Sequence, residues 1–217
     1  GESNLLAQFN VDSGDMQHGF AAADVVLEEE FSVQRISPAY MEPETSQAVY
    51  HPDGSLTIWV SSQEPFIDRL TMAAVLNLPL EKIQVLSTTI GGAFGGKEDA
   101  SLSVLTAFGA WAIRGTLKLV NSRRESFLAH PKRHPATVKL KIGAKADGTL
   151  TALEGRVWMN TGAFASYGVA VGSLLTEMMT GPYRISNVKI ETKVVYTHTP
   201  FSGAMRGFGS PQAHFAI

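Results

Sequence analysis

The chain has 217 residues, 44% of them hydrophobic, with 18 Lys+Arg against 20 Asp+Glu. That is enough apolar material for one large domain or two small ones with a real core, and it excludes a disordered or fibrous chain. The near-neutral balance excludes a global field that would recruit nucleic acid or an anionic membrane, and the absence of cysteine excludes disulfides, thiolate metal sites, iron–sulfur ligation and a cysteine nucleophile within this chain.

Gly1 to Phe9 lacks the basic start and apolar stretch of a signal peptide, and no apolar run approaches a membrane span. The chain therefore reads as soluble and cytoplasmic. Val25 to Gln34 has a β-like start. Ala48 to His51 and Leu56 to Val60 flank Pro52-Asp53-Gly54-Ser55, and Asp-Gly between β-rich runs predicts a hairpin. The period then changes: Leu70, Ala73, Ala74 and Asn77, stopped by Pro79, predict a helix over Asp68 to Leu78. Ile83 to Ser87 reads as a strand, followed by a glycine loop and a second helix over Asp99 to Arg114, whose Ala, Gly and Ser content implies close packing. Leu117 to Val120 is a short strand.

Ala129 to Pro135 reads as the junction between two lobes, with Lys132 and Arg133 on a solvated basic loop. A second Asp-Gly hairpin follows, with Thr137 to Ile142 and Leu150 to Trp158 around Asp147-Gly148. Alternation of Val138, Leu140 and Ile142 with lysines marks a sheet with one wet face. Val188 to Tyr196 is a longer strand, and Ser210-Pro211 opens a helix. The expected class is α+β, with mixed or antiparallel sheets, packed helices and two hairpin-bearing lobes. The lobes are expected at residues 1–130, carrying the glycine loop 91–98, and 131–217, carrying a second glycine loop at 203–212. The second lobe reads as cut short, so the chain is expected to be a fragment of a longer protein.

From Gly91 the first loop reads G-x-x-x-x-G-K, a phosphate-binding loop except that Glu98 stands where Ser or Thr would hold magnesium. A carboxylate there would repel the phosphates, and no second acidic strand end supplies the other magnesium ligand. Two readings of the loop remain: small residues bringing backbone N–H groups, aided by the following helix N-terminus, up to a bulky ligand, or a tight strand-to-helix turn with Phe94 in the core. The second loop, Ser202 to Gln212, repeats the design with glycines, one charged residue, a central Phe208 and a helix start. Two such loops suggest a large polar cofactor held between them.

Gly91-Gly92-Ala93-Phe94-Gly95-Gly96-Lys97-Glu98 and Ala204-Met205-Arg206-Gly207-Phe208-Gly209-Ser210-Pro211-Gln212, with Tyr40-Met41-Glu42-Pro43 and Ser61-Ser62-Gln63, together resemble the molybdenum-cofactor domain of the xanthine dehydrogenase/aldehyde oxidase family. The resemblance covers essentially the whole chain, with four motifs in register. It implies a molybdenum–molybdopterin cofactor, possible in a dinucleotide form, contacted by Gln63, Gly92, Phe94, Gly95 and Arg206. Gln63, Phe94 and Arg206 would surround the molybdenum without supplying side-chain ligands. It also implies that Glu98 hydrogen-bonds a heterocyclic substrate and that Phe208 packs on a flat one. Read without the resemblance, Gln63 is an exposed loop amide, Phe208 a core residue and Glu98 a helix N-terminal acid.

The resemblance implies an oxidoreductase that hydroxylates an N-heterocycle or an aldehyde with oxygen from water, the metal supplying the nucleophile and a glutamate the base. That glutamate is expected beyond residue 217, so no catalytic residue is assigned here. The implied partners are the remaining C-terminal molybdenum domain, iron–sulfur and flavin (FAD) modules, the small-molecule substrate and further copies of the full enzyme, with no nucleic acid and no membrane. Two departures narrow this. Gly172 to Met179 lacks the arginine of the purine oxidisers, so a pocket lined there by Leu and Met is less suited to xanthine, and the cysteine of the carbon-monoxide oxidisers is absent. The competing readings are a nucleotide-phosphate binder using Lys97 and a non-catalytic structural domain.

Overall fold

The computed structural model describes residues 3–217. Its first half comprises β1 (Leu5–Ser13), α1 (Met16–Ala21), β2 (Val25–Val33), β3 (Thr45–Tyr50), β4 (Leu56–Val60), α2 (Pro65–Leu76), β5 (Ile83–Ser87) and α3 (Ser101–Ile113). There follow β6 (Thr116–Val120), α4 (Arg123–Ala129), β7 (Ala136–Ala144), β8 (Leu150–Gly162), α5 (Gly168–Glu177), β9 (Val188–Tyr196) and α6 (Ser210–Ala216). The expected α+β class holds, with one antiparallel hairpin in each of two mixed sheets. Among the described residues no helix is long and apolar enough to cross a membrane.

Two units form. A split unit joins the N-terminal segment through Ile36 to Lys132–Ile217, and an inserted unit comprises Ser37–Pro131. The lobe boundary expected at residue 130 falls beside one crossing between them, but the residues up to Ile36 do not group with the first lobe. Strand pairing is the reason: β1 lies antiparallel to β9, and β2 antiparallel to β7.

The split unit has a five-stranded sheet in the order β1-β9-β8-β7-β2. Val138 and Leu140 of β7 face its core, while Lys139 and Lys141 pair outward with Glu30 and Glu28 of the edge strand β2. Such exposed pairs add little stability, but charge on an edge strand discourages further strand addition. Strands β8 and β9 are parallel, and α5 is the crossover between them. Two glycines and two valines make α5 a poor helix by propensity. Packing explains it: a Cβ on Gly168 would sit 2.6 Å from Thr161 Oγ1, and one on Gly172 would sit 2.6 Å from Val194 Cγ2. The glycines let the helix lie directly on the sheet, where Val171 and Leu175 fill the core.

The inserted unit repeats this logic on a smaller scale. Its sheet runs β5-β4-β3-β6, with β4 and β5 parallel and joined by α2. Ala48, Ile58, Met72, Ile83, Ala107 and Ala110 form its core. The small residues on α3 allow the expected close packing. After β6, Ser122 and Glu125 close a reciprocal capping box that starts α4. Each unit therefore contains a parallel pair with a crossover helix, and in each the second parallel strand leads into a glycine loop and then a helix. In open α/β sheets the carboxyl ends of parallel strands are where ligands bind.

Leu175 is fully buried in the split unit's core. Leu175→Ala is expected to reduce unfolding free energy by about 2–5 kcal/mol, measured by denaturant titration.

Candidate functional site

The first loop begins four residues after β5. Gly92, Phe94 and Gly95 have φ of 93°, 53° and 95°, so a bulky residue occupies the left-handed region next to a glycine in the same region. Such a phenylalanine costs roughly 1–3 kcal/mol and persists only where its surroundings over-determine it. Here they do. Gly96 N–H donates to Ala93 O at 2.9 Å and Glu98 N–H to Gly95 O at 3.3 Å, forming successive turns.

Gln63, three residues past β4, anchors the loop. Its Oε1 accepts from Gly95 N–H at 3.0 Å and from Lys97 N–H at 3.4 Å, and its own N–H donates to Lys97 O at 3.0 Å. Its Nε2 donates to Glu98 Oε1 at 3.3 Å. The structure thus brings Gln63, Gly95 and Glu98 together. Burial first, then Glu64 and Asp99, raises the Glu98 carboxyl above the usual range. Glu98 is not a helix residue, since α3 begins at Ser101.

The loop's underside rests on the segment from Pro38 to Glu44. A Cβ on Gly96 would lie 2.6 Å from Tyr40 Cε1, and one on Gly91 would lie 2.6 Å from Glu42 Cβ, so these glycines serve the approach of this segment. Tyr40 is fully buried and donates its hydroxyl to Glu44. Glu42 Oε2 accepts from Gly91 N–H at 2.6 Å and from Lys97 Nζ at 2.7 Å. Lys97 is only 4% exposed and lies 4.8 Å above the Tyr40 ring. This overturns the phosphate-loop reading, because the lysine's charge and a loop N–H are both taken up by a carboxylate of the same unit. Phe94 is 48% exposed, so it is no core residue.

The second loop repeats the backbone device. Gly207, Phe208 and Gly209 have φ of 88°, 48° and 110°. Phe208 N–H donates to Met205 O at 2.8 Å and Ser210 N–H to Gly207 O at 2.9 Å. A Cβ on Gly209 would sit 2.6 Å from Val171 O, which locks the loop against α5. The Phe208 ring packs edge-on to Tyr167 at 5.7 Å and touches the core. Arg133 takes the anchoring role: Nη2 donates to Arg206 O at 2.8 Å and Nη1 to Gln212 Oε1 at 3.3 Å. Gln212 Nε2 in turn donates to His134 O at 3.2 Å. The Arg206 side chain is exposed, and its carbonyl is the held group.

One expectation is corrected here. The basic cluster is not a solvated loop: His130, Arg133 and His134 are buried, and burial first, then Arg35 and Arg133, lowers His134 to about 4, so its imidazole is neutral. In the segment from Gly172 to Met179, Leu175 and Met179 are fully buried in the core, while Leu174 and Met178 are partly exposed. Sequence reasoning missed Arg133 and the pairing of Glu42 with Lys97. The one signal was Arg133's place in a basic cluster beside two prolines.

The molybdopterin cofactor-binding domain family matches residues 1–217. The chain belongs to that family. It is 40% identical over 213 residues to the large molybdopterin subunit of nicotinate dehydrogenase from Eubacterium barkeri, covering 98% of this chain and 50% of that protein. Against the molybdenum-binding subunit of xanthine dehydrogenase from Escherichia coli, identity is 34%, covering 99% of this chain and 29% of that protein. The fold superposes on the aldehyde oxidoreductase of Desulfovibrio gigas with a TM-score of 0.94 and 27% identity, over 98% of this chain and 24% of that one. The chain spans half or less of these relatives.

The residues of the first loop fit a molybdopterin. Its strained backbone is already held by Gln63 and Glu42, Phe94 offers an exposed aromatic face, and the loop's lysine is already neutralised. This set suits a flat hydrogen-bonding heterocycle better than a free polyphosphate. Among the described residues no group of three or more His, Cys, Asp or Glu could hold a metal ion.

Gln63→Ala removes the acceptor of two loop amides. Chymotryptic cleavage after Phe94 is expected to accelerate about 5- to 30-fold, as loss of roughly 1–2 kcal/mol of local hydrogen bonding requires.

Proposed function

We propose that this chain forms part of the cofactor-binding region of a cytoplasmic molybdenum hydroxylase that oxidises an N-heterocycle or an aldehyde. The whole-chain family match carries this reading. Gln63, Gly92, Phe94, Gly95 and the Arg206 backbone would hold the molybdopterin, with or without an attached nucleotide. The bound cofactor supplies the oxygen-transfer and two-electron chemistry.

The chain's own residues supply positioning. Gln63 fixes the first loop through its carbonyl oxygen and keeps its amide Nε2 as a donor at the loop surface, where it now meets Glu98. Glu98 is half-buried with a raised pKa, so it can accept from a ring N–H or, when protonated, donate to a ring nitrogen. Phe208, set edge-on to Tyr167, offers a fixed ring for packing against a planar substrate. A heterocycle is the favoured class, because relatives at 40% and 34% identity are named for nicotinate and xanthine. The rest of the molybdenum domain, with the catalytic glutamate, and iron–sulfur and flavin modules would complete the enzyme, which we expect to form homo-oligomers.

Metal and pterin analysis of the full-length protein, purified with its partner subunits, tests this reading. Molybdenum and pterin are expected in the active fraction, and their absence from an active preparation would overturn it. For the substrate, Glu98→Ala is expected to reduce heterocycle turnover about tenfold or more while changing simple aldehydes less, as loss of one charged hydrogen bond predicts. Equal losses would remove Glu98 from substrate recognition. Lys97→Ala is expected to lower thermal stability without creating or abolishing nucleotide binding, since the lysine is paired inside its unit.

A further inference from the structure

Behind the anchored loop of the inserted unit lies a polar cavity of about 20 Å³, bordered by Ser61, Ser62, Asp68, Gly96, Lys97 and Ser103. It touches the end of β4, the first turns of α2 and α3, and the inner side of the glycine loop. Asp68 stands in the first turn of α2 and is 1% exposed. The hydroxyl-bearing Ser62 and Ser103 border the same cavity and favour the charged form of its carboxyl. Ser62 is the residue before Gln63, and its Oγ also accepts from Glu64 N–H at 3.0 Å. The carboxyl thus lies between the strand end that carries Gln63 and the helix that follows the glycine loop.

Two polar atoms here are left over. Asp68 Oδ2 and Ser61 Oγ are both buried without a hydrogen-bond partner, and both residues border the cavity. Buried polar atoms are normally satisfied, and this volume admits a single water molecule. We propose that Asp68 is a positioning residue for the site: set between Ser62 and Ser103 and sharing one water with Ser61, it fixes the strand end from which Gln63 holds the glycine loop. The proposal stands on the geometry of the inserted unit; only its consequence for cofactor retention rests on the function proposed above.

The charged and titratable groups around Asp68 are Glu64 beside it and Glu44, Lys97 and Asp99 on the cavity wall, while α3 contributes Ser103. Burial first, with Glu64 adding to it, pushes Asp68 up to about 6. A carboxyl raised in the folded state binds its proton more tightly there than in an opened one. The loop's local stability should therefore fall as pH rises from about 4 to about 6 and level off above that.

Hydrogen exchange of the full-length protein, corrected for intrinsic rates, tests this on amides of residues 94–98, with cofactor content read in parallel. Asp68→Ala is expected to speed their exchange at least tenfold at neutral pH while the five-stranded sheet is unchanged. Asp68→Asn, which keeps the carboxyl's shape and one acceptor oxygen without its charge, is expected to retain most of the protection and to lose the change between pH 4 and 6. Unchanged exchange in Asp68→Ala, or a pH profile in Asp68→Asn identical to that of the wild type, would overturn the proposal. The second result decides the matter even if Asp68→Ala does not fold. Faster loop exchange in Asp68→Ala with unchanged cofactor content would uphold the positioning role and count against the cofactor reading alone.

Discussion

A phenylalanine held in the left-handed backbone region, followed by a glycine in the same region, is the constraint that shapes both loops. Neither pair is comfortable by itself, because a Cβ-bearing aromatic in that conformation is strained. Each is kept in place by a polar side chain from elsewhere in its own unit. Gln63 does so by accepting two loop amides and Arg133 by donating to a loop carbonyl. The two anchors are opposite in hydrogen-bond sense, yet each leaves loop peptide groups fixed without help from a ligand. Such preorganisation lowers the ordering cost of binding.

The glycines around these pairs have a second, separate cause. Gly91 and Gly96 admit the segment carrying Tyr40 and Glu42, and Gly209 admits the backbone of α5. A glycine-rich stretch that reads as a ligand cradle is thus partly a packing surface. Lys97 shows the same displacement of meaning, since the residue that suggested a phosphate site is a buried structural cation paired with Glu42.

Much of the fold was legible because local pattern and final structure agree. The Asp-Gly hairpins, the β5 and β9 boundaries and the start of α6 follow from alternation and turn chemistry. What was not legible depends on partners distant in sequence. Strand β1 is specified by its pairing with β9, and α5 by glycines whose value appears only against the sheet, so propensity argued against it. The grouping of residues into units failed for the same reason. In the site, the glycine loop with Phe94 and Gly95 stood out from its composition, whereas Gln63 could be named only from the resemblance. The Glu42–Lys97 pair, separated by 55 positions, left no trace in any local motif.

Parallel strand pairs put both glycine loops beyond strand carboxyl ends, with anchors at Gln63 and Arg133. The function proposed above requires the left-handed Phe94–Gly95 pair to present a peptide group to the cofactor. A high-resolution structure of the full-length, cofactor-loaded protein tests it most directly. Phe94 and Phe208 are both expected to keep positive φ, with a peptide group of the first loop within about 3.2 Å of a cofactor polar atom. A bound cofactor that does not touch the first loop, or either phenylalanine relaxed to negative φ, would contradict it.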